Sequence, residues 1–164
     1  MTTLMTSLAE IRSFDPCYTG WKAILSAHPH TCEEDYQKQF PLVDCVESNS
    51  ISNVCWLIGK RKTEINICVS FAQACADSVT HLNNKYAVAA TDANEAASYA
   101  TDANAASYAA STAASYAVSA AADEAANAIA ADAIASYAVA DAADAQNTKN
   151  KQFLIDAINN YYSK

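Results

Sequence analysis

Between residues 87 and 145 about half of the chain is alanine, and neither glycine nor proline occurs there. Alanine is the best helix former of all side chains. Both glycines and all prolines precede residue 60, so nothing in this stretch breaks a helix by the usual means. One long helix or a helical hairpin is expected. Unbroken, about 60 helical residues would extend on the order of 90 Å, far beyond what a small bundle can flank. An isolated alanine helix has too little apolar area to hold itself. The tract is therefore expected to fold back, or to pair through small faces that let helix axes approach closely.

Imperfect repeats run through it: TDANEAASYA at 91–100, TDANAASYAA at 101–110, STAASYAV at 111–118, and ASYAVA again at 135–140. The tyrosines follow no strict heptad, so a regular two-stranded coiled coil is not the natural reading. At about 100° per residue, Tyr86, Tyr108, Tyr116 and Tyr137 share a broad arc. Asp92, Glu95, Asp102, Glu124 and Asp132 gather opposite, while Tyr99, Asp123 and Asp141 fall off the pattern. No Lys or Arg occurs between Lys85 and Lys149, so these acids have no local counter-ions. Asp92, Glu95, Asp102, Tyr108, Tyr116, Glu124 and Asp132 are accordingly the candidate partner-binding residues. The plainer alternative is a solvated face kept soluble by sparse charge.

Short helices are expected before the tract. Asp15-Pro16 reads as N-cap and first turn of a helix with Tyr18, Trp21, Ile24 and Leu25 on one face. Thr31 and Glu34 have capping-box spacing. Pro41 can open the next helix, with Leu42, Val43 and Val46 inward. Ser50 or Ser52 caps a fourth, carrying Ile51, Val54, Cys55 and Ile58, with Gly59 as its C′ stop. Thr63 caps the strongest, where Cys68, Phe71, Cys75, Val79 and Leu82 recur at helical spacing and mark the core. Gln146 to Asn150 reads as a polar break before an amphipathic helix bearing Phe153, Leu154, Ala157, Ile158 and Tyr161. The expectation is an all-α fold with a small multi-helix globular bundle over residues 1–83. The alanine-rich tract, 84–146, packs on or extends from it, and a C-terminal amphipathic helix, 147–164, follows.

Chemistry is sparsely signalled. A formal charge of -8 disfavours direct nucleic-acid binding, which needs cations for phosphates, and favours a cationic protein partner. The six cysteines lie in the first half without zinc-finger spacing and read as small core hydrophobes. His28, His30 and Cys32 form H-x-H-x-C in a proline-containing turn, read as incidental rather than as a metal site. His81 near the end of the core helix suits the helix dipole, and Trp21 and Trp56 read as core anchors. Phosphate loops, nucleophile elbows and metalloprotease motifs are missing. Neither an enzyme nor a cofactor is expected. The opening residues lack a signal peptide's basic and apolar regions, and no long apolar run suggests a membrane span, so cytoplasmic residence is expected.

The blocks CYTGWKAIL, PLVDCVESNSISNVCWLI and EINICVSFAQACADSVTHL, followed by an alanine tract with periodic aromatics, resemble a family of alanine-rich bacterial and phage proteins described as immunity proteins. Cys17, Gly20 and Trp21, then Glu47, Ser48 and Asn49, then Cys55 and Trp56, then Phe71, Cys75, His81 and Leu82 carry the likeness, which spans most of residues 17–140. The tail departs from the family pattern: Ser-Tyr and acids stand where family members interleave Arg and Trp with alanine. The resemblance implies a non-catalytic protein, in a bacterial cell or encoded by a phage, that neutralises a protein effector or toxin with a basic surface by contact. A structural, oligomer-forming scaffold is the alternative, and an ice-binding Ala/Thr face is a third reading.

Overall fold

The computed structural model describes residues 3–62, 64–129 and 135–161. In chain order the elements are β1 (Met5–Ser7), α1 (Leu8–Ser13), α2 (Tyr18–Ala27), a 3-10 turn (Glu33–Gln37), β2 (Gln39–Pro41), α3 (Asp44–Ser48), α4 (Ile51–Lys60), α5 (Ile65–Asp77), α6 (Lys85–Ser98), α7 (Ala103–Ile129) and α8 (Ala135–Asn159). The protein is mostly helical, and the alanine tract sits at its centre. Helix α7 packs against α4, α5, α6 and α8. Ala103, Ala106, Ala110, Ala113, Ala117 and Ala120 step by threes and fours along it, and all are buried. Side chains no larger than a methyl or hydroxymethyl group let several helix backbones close on one axis.

Bulkier groups supply the apolar weight. Leu42, Val46, Val54, Leu57, Ile58, Ile67, Phe71 and Val79 from the first half meet Leu154 and Ile158 of α8 in the same continuous core. Arg61, after α4, ties this layer to the N-terminus: Nη1 donates to both carboxylate oxygens of Glu10 at 2.8 Å, and Nε donates to Glu64 at 3.1 Å.

Several local expectations are corrected by what surrounds them. Gly59 does not stop α4, which continues to Lys60, and no glycine has positive φ. A Cβ at Gly59 would lie 2.5 Å from Ser107 Oγ and 3.1 Å from the Ala103 carbonyl oxygen, so this glycine serves the close approach of α4 to α7. The turn beyond it uses Lys62, with φ 60.

Asp15 takes φ 57 and Cys17, not Asp15, occupies the N-cap position of α2. Around the 3-10 turn the reciprocal acid is Asp35 rather than Glu34. Its carboxylate accepts from the Thr31 N–H at 2.6 Å, the Cys32 N–H at 3.2 Å and Lys38 Nζ at 2.6 Å. Those donors hold the Asp35 carboxyl well below the ordinary carboxylate range. Pro41 opens no helix: it ends β2, which pairs antiparallel with β1 through Met5↔Pro41, Thr6↔Phe40 and Ser7↔Gln39. Ser50 caps α4 as expected, its hydroxyl accepting from the Asn53 N–H at 3.3 Å. Thr63 lies outside the described residues, and α5 ends at Asp77, before Leu82.

The segment Gln146–Asn150 is no break, because α8 runs through it from Ala135 to Asn159. The Gln146 and Asn150 amides turn inward instead, while Asn147 is exposed. Asn150, fully buried, donates from Nδ2 to the Ala114 carbonyl of α7 at 3.0 Å. Gln146 Nε2 donates to Asn150 Oδ1 at 2.9 Å and to Ser78 Oγ at 2.8 Å. A polar i,i+4 pair thus docks α8 on two neighbours and satisfies itself in doing so.

Candidate partner-binding face

Two helices of the alanine tract present most of the candidate residues, and a capped turn separates them. Helix α6 begins at Asn84, whose Oδ1 accepts from the Tyr86 and Ala87 N–H groups at 3.1 and 3.0 Å. Asn84 Nδ2 donates to the Ala120 carbonyl of α7 at 3.0 Å, fixing the start of α6 beside the later turns of α7 and the pair as an antiparallel hairpin. The turn between them is made at Asp102, whose carboxylate accepts from the Ala105 N–H at 2.9 Å.

Helix α6 buries Ala87, Ala90, Ala93 and Ala97. On the opposite side Val88, Asp92, Glu95 and Tyr99 follow one another by four, three and four residues, which is one stripe along a helix. Val88 is 62% exposed and Tyr99 76%, and both acids are exposed. Asp92 and Glu95 were expected here; Val88 and Tyr99 were not singled out. Tyr99 falls off a wheel drawn over one continuous helix because α6 ends at it, and the helical phase restarts at Asp102. Spacing by i, i+4, i+7 and i+11 within α6 alone would have found all four.

On α7, Tyr108 is 77% exposed and Tyr116 36% exposed. Two hydroxyls between them are turned back onto the helix, Thr112 Oγ1 donating to the Tyr108 carbonyl at 2.9 Å and Ser115 Oγ to the Ser111 carbonyl at 3.0 Å, while Ser111 Oγ pairs with Ser52 Oγ of α4 at 2.9 Å. Tyrosine is therefore the group this face offers outward. Asp102 is occupied in capping. Glu124 lies about 160° round α7 from Tyr108 at 100° per residue, beside a cleft lined by His81, Gln146 and Lys149. The candidates therefore do not form one surface: Asp92 and Glu95 lie together, the two tyrosines occupy the neighbouring helix, and Glu124 stands apart. Asp132 lies outside the described residues.

Among the described residues the ion pairs join Lys38 to Asp35 and Arg61 to Glu10 and Glu64, so Asp92 and Glu95 have no cationic partner there. No group of three or more His, Cys, Asp or Glu among those residues is placed to hold a metal. The H-x-H-x-C rings go to aromatic neighbours, His28 stacking on Phe40 and His30 meeting Tyr36 edge-on. Cys45, Cys55, Cys68 and Cys75 are buried, and burial pushes the thiols of Cys45 and Cys68 up to about 12. Cys17 and Cys32 are exposed, contrary to the reading of all six as core residues. Hydrogen bonding, first from Thr19, lowers the Cys17 pKa. No helix among the described residues is long and apolar enough to cross a membrane.

Comparison with protein families, with curated proteins and with solved structures found no match to this chain.

Proposed function

We propose that the chain is a non-enzymatic acidic binding protein that neutralises an effector or toxin by covering a basic surface on it, in the manner of an immunity protein or a phage-encoded inhibitor. The outward stripe of α6 carries this reading: two large apolar side chains, Val88 and Tyr99, flank two exposed carboxylates that lack counter-ions among the described residues. Apolar ends supply contact area, and unpaired acids steer a cationic partner. Tyr108, exposed on the other helix of the hairpin, lies outside this stripe. The central alanine faces that a self-assembling scaffold would use are occupied within the chain, by α4, α5, α6 and α8, which favours a different partner over more copies of the same acidic surface.

The test is quantitative capture from host-cell lysate at low and at high salt, comparing the native chain with Asp92→Asn/Glu95→Gln and with Tyr99→Ala. The expected result is a stoichiometric basic protein. Losing both acids should weaken its capture chiefly at low salt, and losing the tyrosine should cost on the order of 2 kcal/mol at any salt. A partner held equally by all three chains, or no stoichiometric partner, contradicts the proposal.

A further inference from the structure

His28 closes α2: its N–H donates to the Ile24 carbonyl at 2.9 Å. Its ring stacks on Phe40 with centroids 3.7 Å apart and planes 20° from parallel. Phe40 is the middle residue of β2 and pairs with Thr6 of β1. His28 Nε2 is buried and has no hydrogen-bond partner. A neutral imidazole can carry its proton on Nδ1 and leave Nε2 as a bare lone pair, whereas an imidazolium carries N–H at both nitrogens. Taking up a proton in this position therefore creates a buried donor with no acceptor.

We infer that the His28–Phe40 stack is a proton-operated latch, closed while the imidazole is neutral and opened by acid, that holds the β2 edge on the end of α2. On opening, the ring leaves Phe40 and turns its Nε2–H to water, and the segment from His28 to Pro41 loses the cover that fixes it. Two influences oppose opening. Asp44, at the start of α3, favours the charged ring, and so does the face of Phe40. Burial acts the other way and prevails, lowering the His28 pKa from 6.5. His30, in the same loop, places its Nδ1 3.4 Å from the His28 carbonyl oxygen and turns its ring to Tyr36. Strand β2, Gln39–Pro41, carries no titratable side chain.

The unfolded chain takes the proton before the folded one, so the latch's contribution to stability is complete above pH 6.5 and declines as pH falls below it. The experiment is an NMR titration of the whole chain following the rings of His28, His30 and His81. His28 is expected to titrate below 6.5, and its ring-to-ring NOE with Phe40 should vanish with that same midpoint. Asp44→Asn should lower the midpoint further. His28→Gln, neutral throughout, should remain folded and remove the acid-dependent loss of stability over that range. A His28 midpoint at or above 6.5, or a His28–Phe40 NOE that survives protonation, overturns the inference.

Discussion

The tetrapeptide TDAN occurs twice, ten residues apart, and folds in two ways. At 91–94 it lies inside α6, with Thr91 Oγ1 returned to the Ala87 carbonyl at 3.1 Å and Asn94 Nδ2 donating to Gln73 of α5 at 3.0 Å. At 101–104 it makes the turn that starts α7, with Asp102 as the cap. Downstream the copies match again once the extra Glu95 is allowed for. Ala97 and Ala106 are both fully buried, and Tyr99 and Tyr108 are both exposed. Yet α6 stops at its tyrosine while α7 continues to Ile129. Asx capping chemistry is available in both copies. It is used where the chain must reverse to lay α7 between α4, α5, α6 and α8, and it stays silent where α6 has α5 and α7 to lie against.

The largest effect that would test this contrast comes from enlarging the inward methyls. Ala106→Leu should cost about 3 kcal/mol, because four helices surround α7 and none can withdraw alone. Ala97→Leu should cost less, and the exposed positions Ala96→Leu and Ala105→Leu should change stability by under about 0.5 kcal/mol. Urea melts read all four. Equal losses at 97 and 106 would remove the distinction between a central and a flanking helix.

The polar segment at 146–150 extends the same comparison, since it interrupts the alanine run as TDAN does and yet breaks nothing. Asn150→Ala should destabilise by about 1–3 kcal/mol, as Gln146 and the inner end of α8 lose a buried partner. An unchanged midpoint would mean that the amide docks nothing. The smallest effect separates the two aspartates. Asp102→Ala should cost about 1 kcal/mol through the lost cap, and Asp92→Ala, on the outward stripe, should stay within about 0.5 kcal/mol of the native chain.

The legible parts of the fold were those with contrast between side chains. Cys68, Phe71, Cys75 and Val79 form a bulky apolar stripe against polar neighbours, and all are buried. Ser50 is a strong cap and acts as one. The alanine tract gave no such contrast: Ala96 and Ala97 are the same residue, one exposed and one buried, so composition shows that the helix forms but not which side faces inward. Gly59 was read by a local rule, although its reason is the Ser107 side chain and the Ala103 carbonyl of α7, far along the chain. The same blindness affected the candidate face. Phase counted across one imagined helix joined Tyr108, Glu124 and Asp92 to a single axis, whereas the turn at Asp102 gives α6 and α7 separate axes.

Native-state hydrogen exchange is the most direct test of the claim that α7 is the middle of the fold rather than an appendage to it. Amides from Ala106 to Ala120 should exchange only by global unfolding, as slowly as those of α5 around Phe71. Rapid exchange along α7 while α5 stays protected would show instead that the alanine helix lies outside the cooperative core.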